Sequence, residues 1–262
     1  MQNKLNNFPH VYYINLDEDI QRKVSTEEHF DSYGVSYTRI SGYDGRKSNL
    51  FEYLSGRYPE RMNSKEVGAT LSHLKAIKTW LDTSNTEYAV ICEDDVRLDP
   101  VDYWPFDWDT IFENLPYDWE IFQMAIINDM QISVNLHPRY INDFSAAAYL
   151  IKRSYAERLM SYHLVGDKFK LDNGVKPRAV ADDLIYNAGR AYAMPLFLYN
   201  VNVHSTIHNE HIVIYHKNCY DAIMKFWRES GPNIKDYSSL FDYDPLHGRL
   251  PCKPEQNVTN NT

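Results

Sequence analysis

Residues 88–95 read YAVICEDD, a compact apolar run that ends in three consecutive acids. Turn residues precede this run and charges follow it, which predicts a buried central strand over Tyr88–Cys92. Glu93, Asp94 and Asp95 then emerge together from the end of the strand. Because alternate side chains of an extended segment share a face, we expect Glu93 and Asp95 on one side and Asp94 on the other.

Three adjacent carboxylates repel one another in a low-dielectric setting, and a cation offsets that repulsion. Mn²⁺ and Mg²⁺ prefer carboxylate oxygens and leave coordination positions open for phosphate. Ligands of α/β proteins bind beyond the carboxyl ends of the strands, which is where these acids lie. The sequence therefore predicts a divalent cation, Mn²⁺ or Mg²⁺, at Glu93 and Asp95. A solvated acidic turn is the alternative.

The segments around this strand alternate between strand and helix patterns. The most regular helix follows a capping box formed by Asn63 and Glu66, and its apolar residues recur at steps of three and four. Other strands are predicted over Val11–Ile14, Ser36–Ile40, Glu120–Ile127, Ala146–Ile151 and Tyr192–Tyr199. Other helices are predicted after Asp17, from Ser154, over Ala181–Ala188 and from a cap at Asn218. This order predicts an α/β fold with a largely parallel mixed sheet flanked by helices.

Length and composition narrow the class of protein. The chain has 262 residues and a net charge of −9, which argues against nucleic acid and anionic membrane surfaces as partners. No stretch is apolar for long enough to span a bilayer, and the polar N-terminus lacks a signal peptide, so we expect a cytoplasmic protein. The length favours a single domain over residues 1–250, followed by a polar tail over 251–262.

Four segments of the chain resemble glycosyltransferase family 25, the group that holds bacterial lipooligosaccharide galactosyltransferases and collagen galactosyltransferases. In chain order they are VYYINLD at 11–17 with Arg22 after it, ISGYDG at 40–45, EVGATLSH at 66–73 and VICEDDV at 90–96. They resemble the family's segments "yyINLdrrpdR", "fxAvDG", "EiGCxlSH" and "lIlEDDv". Ala69 stands where the family usually has Cys. The four segments occur in the family's order, and the similarity is strongest over roughly the first hundred residues.

The resemblance implies a GT-A-like nucleotide-sugar fold in which the Glu93–Asp95 group corresponds to the DxD metal motif. It also implies an inverting transfer of a hexose from a UDP-sugar to a hydroxyl of a glycan or a hydroxylated protein. Galactose is the favoured hexose and glucose the next. A non-catalytic protein that binds UDP-sugar or glycan on the same fold is the alternative, and a metal-dependent phosphohydrolase is a more distant one.

The resemblance places seven residues near the donor: Asn15, Leu16, Arg22, Asp44, Ser72, His73 and Asp94. An Arg fork suits a diphosphate because it can bond two oxygens at once. Three of the seven have ordinary structural alternatives. Arg22 could be a solvated helix charge, Asp44 a turn residue before a glycine, and His73 a packed helix histidine.

A second acidic group, Asp182 and Asp183, begins the predicted helix over 181–188. Acids in the first turn of a helix are favourable for electrostatic reasons alone. The resemblance offers another role, because an inverting transfer needs a carboxylate to accept the proton of the acceptor hydroxyl. We expect one of the pair to be that base, with Asp183 the marginal first choice.

Three histidines, His204, His208 and His211, lie close together late in the chain. No Cys or HExxH pattern accompanies them, which argues against structural zinc. A late histidine often completes the cation site of metal-dependent GT-A enzymes, so His208 is the expected third metal ligand and His204 the next choice. Loop histidines without a ligand are the alternative.

Overall fold

The computed structural model describes residues 4–47, 49–57, 60–128, 130–171, 180–201, 216–242 and 249–251. The strands of this part are β1 Val11–Asn15, β2 Tyr37–Ser41, β3 Tyr88–Glu93, β4 Val96–Arg97, β5 Ile121–Gln123, β6 Gln131–Ser133, β7 His137–Pro138, β8 Ala148–Lys152, β9 Leu164–Val165, β10 Lys168–Phe169, β11 Ala191–Ala193, β12 Leu198–Tyr199 and β13 Arg249–Pro251. The α-helices are α1 Ile20–Tyr33, α2 Ser64–Thr83, α3 Trp108–Glu113, α4 Arg153–His163, α5 Ala181–Tyr186 and α6 Lys217–Ser230. Short 3₁₀ turns cover Leu50–Tyr53, Asp99–Tyr103, Gly231–Asn233 and Ser238–Leu240.

The main sheet has seven strands in the order β2-β1-β3-β8-β5-β11-β7. β1 runs parallel to β2 and β3, and β11 runs parallel to β5. β8 runs antiparallel to both of its neighbours, and β7 runs antiparallel to β11. The predicted α/β fold with a mixed sheet and flanking helices is confirmed, with a smaller parallel share than expected because of β8. The carboxyl ends of β1, β3, β5 and β11 therefore lie along one edge of the sheet.

Helices cover both faces of the sheet, which explains why its central strands are buried throughout rather than alternately. Along β1, Tyr12 and Ile14 face the layer that holds α2, α4 and α5. Val11 and Tyr13 face the layer that holds α1, α3 and α6. β3 repeats this alternation, so the residue after Cys92 faces α2.

The helix α2 begins as the sequence predicts. The Asn63 side chain accepts a hydrogen bond from the Glu66 amide at 2.9 Å, and the Glu66 carboxylate accepts one from the Asn63 amide at 2.9 Å. Two glycines allow the preceding turn to pack on this helix. A Cβ on Gly68 would lie 2.6 Å from the Tyr43 carbonyl oxygen, and one on Gly45 would lie 2.0 Å from the Ser64 carbonyl oxygen. The turn that carries Tyr43 is thereby fixed against the first turns of α2.

Some predicted elements are shorter than expected. The strand predicted over 120–127 is limited to β5, and the extended segment predicted over 192–199 is divided into β11 and β12. Pro195 lies between these two strands and cannot donate a ladder hydrogen bond, which explains the division. The predicted cap at Asn218 is wrong, because α6 begins at Lys217 with His216 as the preceding residue.

Among the described residues, Cys92 and Cys219 are buried and form no disulfide. Within the same part of the chain, no helix combines the length and the apolar character that crossing a membrane requires.

Candidate functional site

An open cleft lies at the edge of the sheet where β1 and β3 end. All seven residues that the resemblance places near the donor line it: Asn15, Leu16, Arg22, Asp44, Ser72, His73 and Asp94. Glu93 lines it as well, whereas Asp95, Asp182 and Asp183 do not. His204, His208 and His211 lie outside the described residues.

The acids at the end of β3 do not alternate as expected. Glu93 is the last residue of the strand and points toward α2, where its Oε1 lies 3.2 Å from His73 Nε2. The chain turns at Asp94 and Asp95, so the strand alternation stops at Glu93. Both aspartates contact Arg22 of α1, so the expectation that Asp94 faces away from Asp95 is wrong.

Arg22 is the counter-ion of these aspartates in the structure. Its Nη2 forms a short ion pair with Asp94 and lies 3.5 Å from Asp95 Oδ2. Asp94 also accepts a hydrogen bond from Asn15 Nδ2 at 2.6 Å, and the Thr26 hydroxyl donates to its backbone oxygen at 2.6 Å. The interpretation of Arg22 as a solvated helix charge is wrong, because the guanidinium is 16% exposed and paired.

The three acids have different proton affinities. Burial raises the pKa of Asp95 to about 7, and the neighbouring charge of Glu93 adds to this effect. Burial likewise raises the pKa of Asp94 although Arg22 opposes the shift. For Glu93, burial is outweighed by the hydrogen bond and charge of His73, and its pKa is lowered. Asp95 is therefore the acid whose ionised form would gain most from an added cation.

The residues at the end of β3 fit a cation that shares its coordination with a substrate. Asp95 Oδ1 is buried and has no hydrogen-bond partner among the described residues. Within that part of the chain, no three His, Cys, Asp or Glu side chains form a ready cation site. Mg²⁺ is usually held by one or two carboxylates together with substrate phosphates, rather than by an all-protein cage. Glu93 and Asp95 match this type of site.

His216, directly before α6, was not recognised in the sequence. Its charge contributes to the lowered pKa of Glu93, so it lies near the acids. At the other end of the preceding segment, the Asn200 amide donates to the Asp95 carbonyl oxygen at 2.7 Å. The sequence signal pointed instead to the denser group of histidines at 204–211.

His73 connects the cleft to the neighbouring strand. Its ring is 1% exposed, and its Nδ1 lies 3.2 Å from the Tyr149 hydroxyl of β8. The Tyr149 ring packs edge-on against Tyr186 of α5, with 5.9 Å between ring centroids. His73 is thus a packed helix histidine that also holds Glu93 in place at the wall of the cleft.

Asp182 and Asp183 occupy the first turn of α5, as predicted. Asp182 Oδ2 accepts a long hydrogen bond of 3.4 Å from the Ser145 amide. Two residues further on, the Ala147 carbonyl oxygen accepts one of 2.9 Å from the Glu93 amide. Asp183 instead accepts from the side chain of Asn187, the residue directly after α5, at 3.2 Å. The segment Ser145–Ala147 therefore connects Asp182, and not Asp183, to the end of β3.

Two of the donor-side residues also have clear structural contacts. Ser72 Oγ accepts from the Tyr43 amide at 2.8 Å and donates to the Gly68 carbonyl oxygen at 2.7 Å. Asp44 accepts two hydrogen bonds of 2.8 Å from the Arg46 guanidinium, which lowers the pKa of this carboxyl. Arg46 and Lys65 add positive charge to the cleft wall, and the sequence had not singled them out.

The comparisons with known sequences concern the first part of the chain. Residues 8–103 match the family described as glycosyltransferase family 25 (LPS biosynthesis protein). A protein of Anopheles gambiae, described as "Glycosyltransferase 25 family member", is 26% identical over 102 residues. The match covers 35% of this chain but only 17% of that relative.

Solved structures with a related arrangement are distant. One is a glycosyltransferase involved in the glycosylation of the major capsid of PBCV-1, with 8% identity and a TM-score of 0.39 over 71% of this chain and 81% of the other. Another is HddC from Yersinia pseudotuberculosis in complex with GMP-PN, with 13% identity and a TM-score of 0.39 over 74% of this chain and 93% of the other. Likenesses this weak say nothing about the function of this chain.

The matched residues 8–103 contain β1, β3 and every residue that lines the cleft. Asp182 and Asp183 lie outside them. The family match supports a glycosyltransferase. The resemblance of this chain to glycosyltransferase family 25 is confirmed over residues 8–103.

Proposed function

We propose that the protein transfers a hexose from a UDP-sugar to a hydroxyl of a glycan or a hydroxylated protein. One observation carries the proposal: Glu93 and Asp94, at the end of β3, line a cleft whose wall also holds Arg22, Arg46 and Lys65. A nucleotide diphosphate can bind at a site where acids hold a cation and cationic side chains lie beside them. Galactose as the favoured hexose, glucose as the next, and inversion of the anomeric carbon rest on the family resemblance.

The donor lies in the cleft, with its diphosphate toward the cationic wall. Arg22 is held in place by Asp94 and supplies a positive charge beside the diphosphate. Asn15 fixes Asp94 from the other side. Leu16 supplies an apolar wall, and Asp44 is available to the ribose or the uracil at the outer end.

A divalent cation, Mn²⁺ or Mg²⁺, is held by Glu93 and Asp95 in this proposal. When bound, it neutralises the negative charge that develops on the departing UDP. Asp95 Oδ1, which is buried and has no hydrogen-bond partner in the described part of the chain, supports this role. His73 is a positioning residue, because it orients Glu93 without touching the cleft's reacting groups itself.

The acceptor hydroxyl approaches from the side of α5, opposite to the departing UDP. Asp182 is the base that accepts its proton, because Asp182 is connected to Glu93 through Ser145–Ala147. Asp183 is the second candidate. A base on the far side of the sugar from the leaving group produces inversion.

A non-catalytic protein that binds UDP-sugar or glycan is the second candidate function. The ion pairs of Arg22 with Asp94 and Asp95 favour it, since they neutralise the aspartates without any cation.

The test measures UDP release from a panel of UDP-hexoses, with Mn²⁺, with Mg²⁺ and with a chelator. We expect one donor to be hydrolysed slowly in a cation-dependent manner. Asp95→Asn should lower the rate about 100-fold, the magnitude typical of a lost electrostatic contact in a transition state. Asp82→Asn is the matched control, because the Asp82 side chain is 55% exposed near the end of α2, where it pairs with Lys78.

Equal rates for Asp95→Asn and the wild type would contradict the role of Asp95. Calorimetric binding of a UDP-sugar without UDP release, in the presence of a broad acceptor panel, would favour the binding protein. Hydrolysis of a UDP-hexose that does not depend on a cation would contradict the proposed metal site but not the proposed transferase activity.

A further inference from the structure

The guanidinium of Arg139 is held on two sides, close to the proposed acceptor side of the site. Its Nε donates to Gln123 Oε1 at 3.0 Å, and its central carbon lies 4.5 Å above the Tyr186 ring. Tyr186 is 1% exposed and Gln123 is fully buried. Gln123 Nε2 in turn donates to backbone oxygens of Ala125, Asp143, Phe144 and Ser145. The orientation of Arg139 is therefore set by two buried partners, Gln123 and Tyr186.

This half-buried cation has no carboxylate within 4.0 Å among the described residues. Both of its Nη groups are accessible to solvent, and no described residue forms a hydrogen bond with them. Arginines that are removed from bulk water are usually paired with an anion. A fixed guanidinium with both Nη groups open presents the fork that binds carboxylate or phosphate with two hydrogen bonds.

The position of Arg139 follows from the sheet. Gln123 ends β5 and lies opposite Tyr149, and Ile91 of β3 lies opposite the same Tyr149. Gln123 is therefore two strand spacings, about 10 Å, from Ile91 and on the same face of the sheet. Asp182 and Glu93 both act on the electrostatics of Tyr186, the ring beneath Arg139. Tyr186 thus brings Arg139 into the neighbourhood of Asp182, outside the donor cleft, which Arg139 does not line.

We propose that Arg139 binds an acidic group, a carboxylate or a phosphate, on the acceptor glycan. The inference rests on the proposed function, since it assigns the acceptor to the α5 side of the site. The guanidinium of Arg139 holds the acidic group of the acceptor glycan. A neighbouring hydroxyl of the same glycan then lies next to Asp182. In a chain with a net charge of −9, an isolated and oriented cation also selects an anionic acceptor over a neutral one.

The test measures binding of three small probes by ligand-observed NMR: methyl glucuronide, glucose 6-phosphate and the neutral methyl glucoside. Saturating UDP is present throughout, so that the probes do not enter the donor cleft. We expect the wild type to bind at least one acidic sugar about tenfold more tightly than the neutral one, which corresponds to about 1.4 kcal/mol. The acidic sugar that binds more tightly identifies carboxylate or phosphate as the recognised group.

Arg139→Gln should abolish this preference and leave the neutral sugar unchanged. Arg139→Lys keeps the charge without the fork, so its preference should fall between the two. Arg153→Gln is the matched control, because Arg153 also lies over a ring, that of Trp80 at 5.0 Å, but follows β8 at the opposite edge of the sheet. We expect it to keep the full preference.

Equal binding of acidic and neutral sugars by the wild type would overturn the inference, and so would a preference that survives both Arg139 variants. If Arg139→Gln does not fold, the comparison of Arg139→Lys with the wild type decides. The binding assay needs no turnover. If the protein prefers acidic sugars but releases no UDP from any donor, the proposed function is wrong and this inference stands. If the protein releases UDP but shows no preference for acidic sugars, this inference is wrong and the proposed function stands.

Discussion

Asp95 combines burial with incomplete pairing. One of its oxygens lies 3.5 Å from Arg22, and the other has no partner among the described residues. Its pKa is raised to about 7, against about 3.9 for an aspartate in an unfolded chain. The folded protein therefore holds this proton more tightly than the unfolded chain does. The ionised carboxylate is destabilising at neutral pH, which is typical of a group placed for function rather than for stability.

The variant Asp95→Asn tests this balance. Because the folded-state pKa is raised, the stability supplied by protonation is fully present below about pH 4 and is lost as the pH rises through about 7. Asn cannot ionise, so we expect the variant to match the wild type near pH 4. At pH 8 and without divalent cations it should be more stable by at least about 1 kcal/mol, or about 2–4 °C in Tm.

Thermal unfolding between pH 4 and pH 8 measures the difference. Asp82→Asn, at an exposed position, should show no such change with pH. A stability difference between Asp95→Asn and the wild type that is constant over this range would contradict the raised pKa.

At the scale of elements, the contact between α2 and the turn at residues 42–45 shapes the outer wall of the cleft. Gly68 and Gly45 allow two backbones to approach where a side chain would not fit. Tyr43 and Asp44 are brought to the cleft by this approach. The glycine at the third position of EVGATLSH, Gly68, is therefore explained by packing between elements.

Gly68→Ala should reverse the usual effect of this substitution in a helix. Alanine is favoured over glycine in a helix interior by about 1 kcal/mol. Here the added Cβ would lie 2.6 Å from the Tyr43 carbonyl oxygen and 2.9 Å from the Gly45 amide. We expect destabilisation of about 2 kcal/mol in urea unfolding, the size typical of overpacking, and weaker UDP binding. Lys78→Ala, on the exposed face of the same helix, should change stability by less than about 0.5 kcal/mol. A stabilised Gly68→Ala protein would contradict the close approach.

At the scale of the molecule, two hydrophobic cores lie on opposite faces of one sheet. Leu71 of α2 is fully buried on one face, and Leu150 of β8 is fully buried on the other. The strands are shared by both cores, so loss of either should disturb the whole sheet. A single domain over residues 1–250 would unfold in one step.

Leu71→Ala and Leu150→Ala test this cooperativity as a matched pair. Each should lower the free energy of unfolding by about 2–5 kcal/mol, the range for buried leucines. Urea unfolding followed by Trp fluorescence and by far-UV circular dichroism should give coincident single transitions for both variants. Two transitions, with each variant shifting a different one, would indicate two domains.

The sequence was most informative where the signal is local. The Asn63–Glu66 capping box and the buried strand over 88–92 depend on neighbours a few residues away, and both are confirmed. The pairing of Arg22 with the aspartates depends on how the chain turns after Glu93, which no short pattern specifies. Arg139 and Gln123 are single polar residues in unremarkable surroundings, and only the sheet brings them near Tyr186. The antiparallel direction of β8 could not be predicted from the sequence either, because a buried strand has the same apolar pattern in both directions.

The three residues from Ser145 to Ala147 bind Asp182 at one end and the Glu93 backbone at the other. Ser145 holds this path in a left-handed backbone conformation, with φ of 92°. The backbone consequently sets the separation between Asp182 and Glu93. Substitutions of neighbouring side chains leave that separation unchanged. In the proposed transfer, substitution of an outlying residue such as Arg139 would therefore leave the spacing of the two acids constant.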